Sequence, residues 1–382
     1  MTVARPRMLR MLHKFDWILI CVIALLLLVG LLALYSLSAS GGTDYFLKQS
    51  VFAGLGLAVM FFMASLDYRH IQKYSTTLYF VTAVVLIGVL YFGTTVRGTA
   101  GWLSLGLFQV QPVEIAKVTL IIFLASFISK KKSELGEWTR MIASLILATG
   151  LIFLVLRQPD LGSSLVLLAI WIGMIVASGL RVKHFLVLVL LGSLLSAGSW
   201  FLLADYQKAR ISTFLHPESD PQGSGYNVIQ SIVAVGSGGL SGKGLGYGSQ
   251  SQLSFLPEKH TDFIFAVIAE ELGLAGSLFV IALYGLLLYR IRCISIAASD
   301  NFGYLLSLGV MIMIFTQILV NIGMNVGLLP VTGLPAPFLS YGGSSLISLA
   351  VSCGLLLSVY QRKKGTEDMR ISLEKSLLDG RT

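Results

Sequence analysis

The chain has 382 residues, is 55% hydrophobic and only 12% charged, and has a mean hydropathy of +0.82. Soluble domains carry about 25% charged residues, so this composition excludes an ordinary soluble protein. Three dispersed cysteines and five scattered histidines, without C-x-x-C or metal-ligand spacing, argue against a disulfide framework or a zinc site.

Apolar runs near the ~20 residues needed to cross a bilayer recur along the chain. Ten spans are predicted: 17–39, 48–66, 75–92, 112–128, 141–156, 161–180, 184–203, 262–289, 303–325 and 344–361. Backbone polar groups in lipid must pair internally, so each is read as a helix. The expected fold is an all-α polytopic membrane protein with one integral membrane domain. Residues 1–16 form an N-terminal segment, 362–382 a tail, and 205–261 one long loop between the seventh and eighth spans. Arg5, Arg7, Arg10 and Lys14 precede the first span as they would a signal peptide. Its length of about 23 residues exceeds a signal core of about 7–15, so an uncleaved anchor is expected.

An even number of spans puts both termini on one side. Of the 28 Lys and Arg residues, twenty lie on that side, in 1–16, 67–74, 130–140, 181–183, 290–292 and the tail. Seven lie opposite (Lys48, Arg97, Arg157, Lys208, Arg210, Lys243 and Lys259), and Lys117 falls inside a span. The positive-inside rule makes both termini cytoplasmic. The net charge of +9 is therefore membrane-surface topology, and nucleic acid is not an expected partner.

Ionisable residues within spans are costly and mark functional candidates. In "QVQPVEIAKV", Glu114 and Lys117 share a helix face three residues apart and can pair. Such a pair serves packing, a substrate cavity, or both. In "RQPDLGSS", Asp160 lies in a short turn and is a good N-cap for the sixth span. The long loop carries "GSGGLSGKGLGYGSQSQ". It is not a phosphate loop, because position 237 is Ser and Gly244 stands where Ser or Thr is required. Its glycines suit tight turns or close backbone approach.

In "FLPEKHTDFIFAVIAEELG", Asp262 sits at the outer mouth of the eighth span. Its helix face carries Ala266, Ala269 and Gly273, and Glu271 points the opposite way. Asp262 caps the helix or serves as a water-reachable general base. In the ninth span Gln317, Asn321 and Asn325 share a face at i, i+4, i+8, as interhelical hydrogen bonding requires.

These stretches, with "NIGMNVGLLPVTGLPAPFLSYGGSS", resemble the SEDS family of shape, elongation, division and sporulation proteins over nearly the whole chain. They look more like its elongation members than its division members. The resemblance implies a peptidoglycan glycosyltransferase that polymerises lipid II, a disaccharide-pentapeptide on undecaprenyl pyrophosphate. It implies a class B penicillin-binding transpeptidase as partner and the bacterial inner membrane as location. Carried over, the family's essential aspartate falls on Asp262 and its charged pair on Glu114 and Lys117. Two positions depart from the pattern. Val113 stands where the family has Ser, and Gly101 replaces the Arg before Trp102, with Arg97 nearby.

An α-linked donor and a β-linked product mean inversion, so one direct displacement suffices, with Asp262 as base for the acceptor 4-hydroxyl. Lys117, Arg210 and Lys259 are expected partners for pyrophosphate, Asp160 a further substrate contact, and a divalent cation (Mg or Mn) an additional expectation. The rival classes are a lipid flippase or transporter and a non-catalytic scaffold of cell-wall enzymes. No inverted repeat is visible between the two halves of the chain.

Overall fold

The computed structural model describes residues 15–41, 44–96, 99–105, 108–130, 137–179, 208, 212–220, 223–253 and 255–363. The bundle comprises α1 (Trp17–Gly41), α2 (Tyr45–Ser65), the short α3 (Tyr68–Lys73), α4 (Ser75–Phe92), α5 (Pro112–Ser129), α6 (Glu137–Leu156) and α7 (Leu161–Ala177). After the long loop come α10 (Ile264–Ala297), α11 (Asn301–Asn325) and α12 (Gly343–Gln361). Eight of these helices are long and apolar enough to cross a membrane, and α7 is a shorter apolar helix. Nine of the ten predicted spans are thus present, and the seventh, 184–203, lies outside the described residues.

α5 is the hub. It packs against α4, α7 and α11, and from Pro112 to Ser126 every residue but Ile115 is buried. Pro112 opens it, where a missing N–H costs nothing. By contrast Val51, Phe62, Val84 and Tyr91 on α2 and α4 are exposed, as lipid-facing residues are.

Two connections differ from expectation. The segment between α4 and α5 forms a three-stranded antiparallel sheet: β1 (Thr94–Val96), β2 (Thr99–Leu105) and β3 (Phe108–Val110). β2 pairs Thr99 with Val96 and Leu103 with Val110. Gly101 faces the side chain of Gln158, and a Cβ there would lie 3.2 Å from its Oε1. Arg97 lies outside the described residues. The long loop is not bare coil either. It holds a 3-10 turn (Pro217–Ser219), α8 (Ser224–Ser237) and α9 (Ser249–Gln252).

The eighth span is not one helix. Gly273 has φ 67 and ψ −162, which breaks α10. In a continuous helix the carbonyls of Glu270 and Glu271 would accept from Leu274 and Ala275. Instead they accept from the N–H of Lys243 (3.0 Å) and Gly244 (2.9 Å). The freed N–H groups of Leu274 and Ala275 donate to the carbonyls of Gly239 (2.9 Å) and Leu240 (3.2 Å). The glycine-rich loop therefore replaces two missing helical bonds at all four ends. This close approach is what its glycines permit: a Cβ on Gly242 would lie 2.1 Å from the Glu271 carbonyl oxygen. No ligand is needed to explain them.

Candidate active site

Asp262 lies in a turn before α10. The N–H groups of Thr261 and Asp262 donate to the carbonyl of Glu258, each at 3.1 Å. Phe263, one residue after Asp262, holds the N-cap position of α10 without a side-chain cap. The Asp262 turn is fastened from two sides. From α11, the Asn321 and Asn325 Nδ2 groups both donate to the Asp262 carbonyl at 3.0 Å. Asn325 Oδ1 also accepts from the N–H of Ala266 at 3.0 Å. From the 330–342 segment, Ser340 Oγ donates to the Thr261 carbonyl (2.5 Å) and Tyr341 N–H to the His260 carbonyl (2.9 Å). The His260 ring stacks on Tyr45 with centroids 4.2 Å apart. The carbonyls of His260, Thr261 and Asp262 are thereby all committed, while the Asp262 residue is half-buried and its carboxylate stands over Gly333, whose Cβ position is 3.6 Å from Oδ2.

The same 330–342 segment reaches the other candidates. Thr332 and Leu334 press on Gly162, where a Cβ would lie 2.6 Å from the Thr332 carbonyl oxygen. Asp160 caps α7 through the N–H of Ser163 (2.9 Å). Its other oxygen accepts from Gln111 Nε2 at 3.3 Å, so it also ties α5 to α7. Gln111 N–H in turn donates to Ser344 Oγ on α12. One turn on, Lys117 Nζ pairs with Glu114 Oε1 at 2.7 Å, and Glu114 Oε2 accepts from Ser348 Oγ at 3.1 Å. Lys117 is fully buried and Glu114 2% exposed. Val113 is fully buried as well, so an apolar residue fits there.

Lys259 is placed apart from this group. Its Nζ donates to the carbonyl of Ser251, and burial lowers its pKa, an effect the Glu271 charge opposes. Arg210 lies outside the described residues. Glu270 and Glu271 are taken up by structure. Glu270 accepts from Lys243 Nζ and from the N–H groups of Gln250 and Ser251, all at 2.9 Å. Glu271 Oε1 accepts from Ser36 Oγ (2.7 Å) and Gln252 Nε2 (2.9 Å). Those two carboxylates anchor α9 and the glycine loop to the outer half of α10.

Sequence reasoning brought Asp262, Asn321 and Asn325 to notice separately but did not join them. It missed Gln111, Ser340, Ser344 and Ser348 altogether. The one available signal was the density of small polar residues in "PFLSYGGSS". Among the described residues no three His, Cys, Asp or Glu side chains converge as a metal cage. A divalent cation bound to substrate pyrophosphate would take its other ligands from phosphate oxygens and water, a donor set that suits Mg.

A family model described as "Cell cycle protein", covering FtsW, RodA and SpoVE, matches residues 15–365. The peptidoglycan glycosyltransferase MrdB of Escherichia coli K12 is 42% identical over 345 residues, covering 89% of this chain and 93% of that one. The stage V sporulation protein E of Bacillus subtilis is 39% identical over 357 residues, 90% of this chain and 96% of its own. A chain from a study of how a peptidoglycan synthase complex coordinates polymerization and crosslinking superposes with a TM-score of 0.78 at 34% identity, covering 91% and 98% of the two chains. The rod shape determining protein RodA of Thermus thermophilus superposes with a TM-score of 0.69 at 30% identity, covering 91% and 97%.

Proposed function

The chain belongs to the cell cycle protein family of FtsW, RodA and SpoVE, and from that premise we propose that it polymerises lipid II into glycan strands by inverting transfer, with Asp262 as general base. The observation that carries the reading is the held turn. Its backbone is fixed by Asn321, Asn325, Ser340 and Tyr341 while Asp262 itself is only half-buried. A base works when it is held within hydrogen-bond reach of the proton it takes, and rigid support of this kind supplies the orientation.

In this scheme the acceptor 4-hydroxyl loses its proton to Asp262 as its oxygen attacks the donor's anomeric carbon. The pyrophosphate leaves from the opposite face. Lys117, Lys259 and Arg210 are its proposed cationic partners, with Asp160 lining the sugar path. Lys117 is fully buried and paired with Glu114, so contact with a phosphate would require its surroundings to open. A divalent cation would sit with the leaving pyrophosphate, on the side of the anomeric carbon away from Asp262, and neutralise charge developing there. The proposed setting is the bacterial inner membrane, with both termini cytoplasmic and Asp262 outside. The proposed partner is a class B penicillin-binding transpeptidase.

Labelled lipid II given to the purified protein in vesicles tests the reading. Glycan polymer supports it. Transfer of lipid II between leaflets without polymer would make the protein a flippase, and neither outcome would leave a scaffold.

A further inference from the structure

On the side of the bundle that carries both termini, the ends of α5, α6, α7 and α11 surround a cavity of about 320 Å³. It lies at the opposite membrane face from Asp262. Its lining combines polar residues (Arg140, Ser178, Asn301, Tyr304) with apolar ones, Ile128 and Met141 among them. Arg140 is half-buried, and its Nε is enclosed without a hydrogen-bond partner. Burying a cationic donor unpaired is costly. Neither packing nor the catalytic proposal accounts for it.

The nearest carboxylate in sequence to this lining, Asp300, is already engaged. It accepts from Arg69 Nε at 3.1 Å, Tyr68 hydroxyl at 2.8 Å and the N–H of Gly303 at 2.6 Å. Among the described residues the Asn301 amide and the Tyr304 hydroxyl make no side-chain hydrogen bond. Among the described residues the cavity thus offers a guanidinium whose Nε is unpartnered, an amide and a phenol beside apolar side chains.

We propose that this cavity binds the phosphate of an anionic phospholipid from the leaflet on the terminus side. The Arg140 guanidinium would take the phosphate oxygens, Asn301 and Tyr304 the glycerol or headgroup hydroxyls, and the apolar side chains the first acyl carbons. Guanidinium suits phosphate by its forked, planar donors, and basic pockets between transmembrane helices on the cytoplasmic side are a known form of lipid recognition. A zwitterionic lipid presents the same phosphate beside a cation and is disfavoured next to the Arg140 guanidinium.

The test is native mass spectrometry of the delipidated full-length protein, titrated with phosphatidylglycerol, with phosphatidylcholine and with inorganic phosphate. The expected result is one phosphatidylglycerol retained in preference to phosphatidylcholine. Its affinity should fall about tenfold or more in Arg140→Ala, the loss of a charge-assisted contact, and less in Arg140→Lys. Asn301→Asp places a negative charge in the same lining without shortening a packed side chain. It should weaken binding comparably and so decides the matter if Arg140→Ala melts early. Unchanged phosphatidylglycerol affinity in Arg140→Ala and Asn301→Asp would overturn the site. Inorganic phosphate binding as tightly as the lipid and displacing it would overturn the lipid in favour of a soluble anion.

Discussion

Asp262, Asn321 and Asn325 form a unit whose parts act at different distances from the chemistry. Asp262→Asn and Asp262→Ala are expected to abolish polymerisation while the protein still folds and inserts. A folded Asp262→Ala protein that still makes glycan would remove it as the base. Asn325→Leu deletes the amide that serves both the Asp262 carbonyl and the Ala266 N–H. The Asp262 carbonyl keeps Asn321, but the buried Ala266 N–H is left unpaired at a cost of about 1–3 kcal/mol, so the variant should melt lower and lose activity by loosening the turn. If it melts lower yet retains full kcat, the support argument fails. Glu114 and Lys117 stand differently. Removing either leaves an uncompensated buried charge, a loss of about 3–5 kcal/mol. Replacing both, as Glu114→Leu with Lys117→Met, should restore folding but not polymerisation; full activity in that double variant would reduce the pair to packing. The pair was legible because three residues on a helix is a local rule. Its third member, Ser348, and the Asn321 and Asn325 contacts to Asp262 join residues far apart in sequence. No periodicity announces such contacts.

Among the elements, apolar length located the helices well and their interruptions poorly. Gly273 reads in the sequence as one more small residue on the Asp262 face, so the eighth span appears continuous. The break depends on Gly239, Leu240, Lys243 and Gly244 arriving from another part of the chain. Likewise the β1–β3 sheet is built from strands of three to seven residues with two-residue connections, too short to stand out. Gly242→Val sets a branched side chain against the Glu271 carbonyl at a left-handed backbone position, φ +80. It should expel the loop from the break and expose 238–248 to limited proteolysis; an unchanged digestion pattern would show that the loop is not held there. On the opposite face, α3 is fastened by Tyr68, which lies against Ser299 and Asp300. Burial, reinforced by Asp300, raises the Tyr68 pKa from 10.0 to about 12. The folded state then keeps a proton that the unfolded state has lost. Stability should be flat below pH ~10 and fall as pH rises from about 10 to 12. Tyr68→Phe should flatten that alkaline decline, which thermal melts across this range would reveal.

For the molecule as a whole, composition alone placed the chain in a membrane, and the charge count predicts cytoplasmic termini. Cysteine introduced at Ser133 in a background lacking Cys21, Cys293 and Cys353 should stay unlabelled by an impermeant thiol reagent on intact cells, while cysteine at Ser219 should label. The reverse pattern would invert the protein. The halves of α10 also carry a consequence for how the protein is made. Leu274–Ala297 extends about 36 Å at 1.5 Å per residue, long enough to enter the bilayer as an independent unit. Ile264–Leu272, whose last carbonyls have no helical continuation, is completed only when the 239–244 loop docks. Synthesis delivers that loop first, before either half of the helix it must join. A newly inserted chain should therefore pass through a stage in which all spans are in place but the outer cap is still undocked. Maturation of the Asp262 region then becomes a post-insertion event, open to quality control by proteases on the far side of the membrane.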